Sequence, residues 1–409
     1  MNLLLLAWIA GALAAGPART IVVETGGAVA TVGRALELAG DGDTIVVRAG
    51  QYREPPLVVN RRVVLLGEPG AVLDGGGTHQ ILTIKADSVV VRGFTLAHVG
   101  TSYVDDRAAI RADSVRGCVI ERNQVLDAFF GIYLAHTADC VVRHNLVRGS
   151  ARNESSAGNA IHLWYSTGTV VDSNQVNGHR DGIYLEFSGG SVIRGNQSTG
   201  NRRYGLHFMF SNDCRYEGNT FSRNGAGVAV MYSQTVTMVG NRFTWNRGPA
   251  AYGLLLKEIH DSRVEGNEFL GNTVALHLDG ADRVRISHNL FEQNGWAIRL
   301  LGSTEGDTLT GNGFRGNSFD LTTNTAHAAG AVSGNYWDQY AGYDLDRDGR
   351  GDVPFHPVRL FSMLVQDHQP GLILLRSFVV DLLDLAERML PVLTPEALVD
   401  PHPLMQWPG

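Results

Sequence analysis

Through the middle of the chain, a small residue followed by an aliphatic, a variable and a second aliphatic position returns about every 22 residues. The pattern reads Gly131-Ile132-Tyr133-Leu134, Ala160-Ile161-His162-Leu163, Gly182-Ile183-Tyr184-Leu185 and Gly205-Leu206-His207-Phe208. It continues at Gly227-Val228, Gly253-Leu254, Ala275-Leu276 and Ala297-Ile298. Asparagine keeps the same beat at Asn123, Asn145, Asn174, Asn196, Asn219, Asn241, Asn267, Asn289, Asn312 and Asn335. Self-similarity at this period predicts a solenoid.

The residue types decide which solenoid. A leucine-rich repeat needs a Leu-x-x-Leu-x-Leu run, which these units lack. Each unit instead offers short stretches of alternating apolar and polar residues, with no window of 3.6 periodicity long enough for a helix between them. The expected fold is all-β, a parallel β-helix in which equivalent positions stack about 4.8 Å apart. Read down the rungs, the columns starting at Ile132 and Leu134 are aliphatic throughout and must face inward. The column between them (Tyr133, His162, Tyr184, His207, Ala229, Leu255, His277, Arg299) is mixed, and strand alternation turns it outward. His162 and His277 read there as ordinary surface side chains. The asparagines read as an internal amide ladder at a turn, without chemistry of their own.

The pattern also sets boundaries. Residues 1–15 read as a secretory signal: Leu3 to Ala15 is a short apolar run with Ala12-Leu13-Ala14 as a cleavage site, too short to span a membrane. Export to the periplasm follows as an expectation. Residues 20–50 form an N-terminal cap and first rung, with a short helix over Thr31 to Ala39. Residues 51–337 form the β-helix, 338–358 an Asp-rich loop, and 359–409 a helical tail. Excursions at Gly100 to Arg107, Gly149 to Gly158 and Arg247 to Ala251 interrupt the coil and are candidates for partner contact.

Composition narrows the function classes. With 49 glycines, 18% charged and 44% hydrophobic residues, the 409-residue chain forms a core-containing body, and its net charge of −7 argues against a nucleic-acid partner. The three cysteines, Cys118, Cys140 and Cys214, share one inward column. They read first as small buried hydrophobes, with a Cys118–Cys140 disulfide open in an oxidising compartment.

Two clusters carry candidate chemistry. On the outer face, His207 and Met209 leave one strand and Met231 occupies Met209's column one rung on. Stacked thioethers beside an imidazole are soft ligands that suit copper as Cu(I). The competing reading is an apolar patch or a partner contact. In Asp344-Leu345-Asp346-Arg347-Asp348-Gly349-Arg350-Gly351-Asp352, the four aspartates around a glycine turn supply oxygen ligands suited to structural Ca²⁺. The rival class is a polysaccharide lyase, epimerase or glycosidase. For it the chain offers only the loop pair Asp105-Asp106 and the cluster His179-Arg180-Asp181 near Glu186, with no aligned carboxylate pair in the strand columns.

Gly334-Asn335-Tyr336-Trp337-Asp338, the aspartate loop, Val353-Pro354-Phe355, the Gly42-Asp43-Thr44-Ile45-Val46 cap and the tail together resemble the NosD family. The resemblance implies a right-handed β-helix, not an enzyme, mounted in the periplasm on an ABC transporter made of a permease and a separate ATPase. It further implies that copper arrives from a lipid-anchored chaperone and serves maturation of nitrous oxide reductase, with this chain peripheral to the membrane through the permease. A copper-free scaffold for chaperone and reductase is the third reading. The chain has no phosphate-binding Gly-rich loop followed by Lys and Ser/Thr. In the tail, Ser377, Asp381, Asp384 and Arg388 form one polar stripe on an otherwise apolar stretch from Leu372 to Leu390, expected to cap the coil or dock on a permease.

Overall fold

The computed structural model describes residues 18–102, 104–301, 305–324, 329–359 and 398–408, with isolated positions between 361 and 383. The secretory signal and most of the tail stretch from Leu372 to Leu390 lie outside the described residues.

The chain coils through three parallel sheets of 14, 13 and 12 strands, and after the first strand each sheet takes every third one. A turn of this coil cannot bury its own apolar face, so rung stacks on rung, and in-register pairs such as Ile132 with Ile161 and Leu134 with Leu163 repeat along the body. The aliphatic columns are buried as expected. Phe221, Phe243, Phe269, Phe291, Phe314 and Trp337 form another internal column, with ring centroids 4.1 to 5.5 Å apart. The predicted cap helix is present at Val32–Leu38, with the Thr31 hydroxyl accepting from the Arg34 amide.

The asparagine ladder is continuous. From Asn123 to Asn335, each side-chain Nδ2 donates to the next rung's Oδ1 at 2.9 to 3.1 Å. Its last member donates to Asp400, whose carboxylate also accepts from the Gly334 amide and the Trp337 indole. A second ladder runs through Asn201, Asn224, Asn246, Asn272, Asn294 and Asn317, and neither the beat nor the motifs predicted it. Cys118 and Cys140 form a disulfide pair, which resolves the open reading against two free thiols. Cys214 is free and buried, and burial pushes its thiol up to about 11.

Of the tail, Phe361, Val365, Val380 and Leu383 pack on Phe319 and Trp296 at the end of the 12-stranded sheet, as a closing cap would. Ile373 and Phe378 are exposed. Among the described residues no helix is long and apolar enough to cross a membrane.

Candidate functional site on the outer face of the 12-stranded sheet

The strands Ile161–Trp164, Ile183–Glu186, Tyr204–Met209 and Ala226–Gln234 lie side by side in the 12-stranded sheet. Their register sets Glu186 beside Met209 and Met209 beside Met231, so the two methionines are direct cross-strand neighbours. His207 stands between Tyr184 and Ala229 in the adjoining outward column.

This column corrects the sequence reading. It faces outward, yet Tyr133, His162, Tyr184, His207 and His277 are all buried, so His162 and His277 are not surface histidines. The cause is mutual covering by rings. Tyr133 and His162 lie 4.4 Å apart, His162 and Tyr184 4.7 Å, and Tyr184 and His207 4.9 Å. Desolvation favours the neutral imidazole and holds His162 down at about 3 and His277 at about 4.

His207 leans toward Asp181, with Nδ1 3.8 Å from Oδ2, and neither ring nitrogen has a hydrogen-bond partner. Burial of Asp181 raises its pKa, but the hydrogen bonds from Arg203, with the His207 ring nearby, outweigh that and hold the carboxyl at about 2. Arg203 meets both oxygens, at 2.9 Å through Nε and 2.5 Å through Nη2. A charged, acceptor-only carboxylate facing Nδ1 favours the tautomer protonated there, which leaves the Nε2 lone pair free. The Tyr184 hydroxyl donates to Met209 Sδ at 3.5 Å. Burial first, then the charges of Glu186 and Asp181, push this phenol up to about 12, so it keeps its proton.

Sequence reasoning missed Tyr184, the Asp181–Arg203 pair and an exposed aromatic stack. Tyr165, Phe187, Phe210 and Tyr232 each follow directly on the column of Trp164, Glu186, Met209 and Met231. Their rings stack 4.7 to 5.1 Å apart and remain 38 to 46% exposed, so they border the methionines with apolar surface. The 22- or 23-residue recurrence of an aromatic at this position was the available signal.

Ser102 and Asp106 of the first excursion and Glu154 and Gly158 of the second reach the same face. They help to enclose a cleft of about 520 Å³ lined by Asp106, Tyr133, Glu154, His162, Arg180 and Glu186, among others. The weak charged clusters of the rival enzyme reading thus partly converge, since Asp106, Arg180 and Glu186 share one opening.

The aspartate turn lies at the far end of the coil. Asp344, Asp346 and Asp348 bring carboxylate oxygens within 4.8 Å of one another. Asp352 is not among them; it accepts from the Leu345 amide at 2.6 Å. Asp344 already accepts from the amides of Arg347 and Gly349.

Residues 149–342, which include the methionine pair, match the family model described as periplasmic copper-binding protein (NosD). Over 395 residues the chain is 32% identical to a probable ABC transporter binding protein NosD of Pseudomonas aeruginosa, covering 91% of each chain. It belongs to the NosD family. A second NosD, also named a probable ABC transporter binding protein, is that of Stutzerimonas stutzeri, 30% identical over 88% of this chain and 86% of its own. Solved structures share the coil. The A-module of mannuronan C-5 epimerase AlgE4 from Azotobacter vinelandii aligns with a TM-score of 0.59 at 17% identity, over 73% of this chain and 93% of that one. A GH87 α-1,3-glucanase catalytic domain aligns at 0.63 and 12%, over 78% of this chain and 69% of its own. At such identities the likeness is one of fold alone.

Proposed function

We propose that this NosD chain is a periplasmic accessory of an ABC transporter, handling copper for maturation of nitrous oxide reductase. Met209, Met231 and His207 hold Cu(I) in transit. The observation that carries the reading is the in-register methionine pair on the outer face, beside a buried histidine with unpartnered ring nitrogens. Two thioethers and an imidazole match the softness of Cu(I). Asp181, kept ionised by Arg203, holds the His207 tautomer that presents Nε2. Copper is cargo here: a lipid-anchored chaperone delivers it, and the permease and ATPase that drive the cycle are separate chains.

The titration shifts in the cleft support a carrier over a sugar-cleaving enzyme. His162 is held neutral and Tyr184 is pushed away from neutral pH, whereas general acid–base work favours groups poised near it.

Competition of the purified chain with a Cu(I) chelator tests the site. Loss of roughly tenfold or more in affinity on Met209→Ala with Met231→Ala, in a variant that melts like the wild type, is the expected result. Equal affinity in both would move the copper elsewhere, and no binding by either would leave the scaffold reading. The aspartate turn, with Asp344, Asp346 and Asp348 as ligands, is proposed to hold structural Ca²⁺. A melting temperature that rises with added Ca²⁺ and falls with chelator is expected, and an unchanged one would reject the ion.

A further inference from the structure

We propose that the cleft beside the methionine pair binds an uncharged, hydroxyl-rich ligand, a neutral sugar unit. Its volume of about 520 Å³ lies within the usual range of small-molecule sites.

The guanidinium of Arg180 can only donate. Its Nε and Nη2 lie 3.3 and 3.2 Å from Asn159 Oδ1, which fixes that atom as the amide's oxygen. The other end of the buried amide, Nδ2, therefore donates to His162 Nδ1 at 3.3 Å. A neutral imidazole that accepts at Nδ1 carries its proton on Nε2. That N–H is buried and has no acceptor, on a side chain that lines the cleft. A buried donor left unmet is unfavourable, and a ligand oxygen would satisfy it.

Around this donor the opening has a different character. Asp106, Glu154 and Glu186 bring three carboxylates from three separate segments, and Tyr133, Trp164 and Tyr184 supply flat apolar walls. An anion would meet these carboxylates against the single lining cation, Arg180. A simple organic cation would satisfy them but leave the His162 N–H unanswered. Hydroxyl groups serve both, donating to carboxylates and accepting from His162, while the carbon face of a sugar ring covers the aromatic walls.

The test is calorimetric titration of the mature chain with a neutral gluco-oligosaccharide, a galacturonate oligomer, choline and a Gly-Ser tetrapeptide. Saturable binding of the neutral oligosaccharide alone is expected. His162→Phe, which keeps the ring and removes the N–H, should weaken it roughly tenfold, the equivalent of about 1.4 kcal/mol. Trp164→Ala, which removes a wall, provides a second variant should the first fail to fold. Tighter binding of choline, uronate or peptide would reassign the ligand class and overturn the proposal. So would no binding of the oligosaccharide, or unchanged affinity in the folded variants.

Discussion

The inner and outer faces of the 12-stranded sheet come from the same strands but follow opposite rules. Inward, each column repeats one chemical type, and the asparagine ladder at the turns gives every amide a partner. Outward, the column from Tyr133 to Arg299 changes type at nearly every rung and carries buried atoms without partners at His162, His207, His277 and Arg299. A solenoid gains stability by repetition, so a stretch where repetition fails and polar atoms go unmet marks surface kept for something other than folding.

Substitutions can break this comparison. The largest effect is expected inside: Phe269→Ala, in the middle of the stacked rings, should cost about 3–5 kcal/mol in denaturant unfolding. Asn219→Ala should cost roughly 3 kcal/mol. It removes side-chain bonds to Ile193 and Asn241 and strands the groups of Asn196 that it accepts. At the border of the two faces, Asp181→Asn leaves Arg203 without its carboxylate and should cost about 2–4 kcal/mol at neutral pH. Because the folded pKa of Asp181 is depressed to about 2, its contribution is present above the unfolded carboxylate value of about 4 and disappears as pH falls toward about 2. The variant's disadvantage should therefore shrink over that range.

Asp320 has the opposite sign. Burial raises its carboxyl to about 7, so protonated Asp320 suits the fold, and its contribution is complete below about pH 4 and lost as pH rises through about 7. Asp320→Asn should match the wild type near pH 4 and exceed it at pH 8 by on the order of 1 kcal/mol or more, read from denaturant midpoints. The smallest stability change should come from Met209→Ala with Met231→Ala, within about 1 kcal/mol, although copper affinity falls. A large loss of stability there would make the outer methionines part of the packing and erase the contrast.

Most of the interior was legible in the sequence because stacking keeps the inward columns largely apolar. The aliphatic columns and the first asparagine ladder followed from that stacking, and so did the adjacency of Met209 and Met231. The second ladder was not seen because it begins only at Asn201. The burial of His162 and His277 was not seen because it depends on neighbouring rings, which alternation along one strand does not reveal. The hydroxyl of Tyr184 on Met209 joins columns that were read separately. Asp400 closes the coil from 65 residues beyond Asn335, a distance over which a 22-residue beat carries no information.

That closure has a further consequence. An asparagine stack is polymer-like, because every unit can both receive and hand on, and nothing intrinsic to it stops growth. Asp400 can only receive: its carboxylate takes the terminal amides of Gly334 and Asn335 together with the Trp337 indole and offers no proton onward. The last rung thus ends in a chain terminator, which denies an incoming copy the template that an open strand edge would provide.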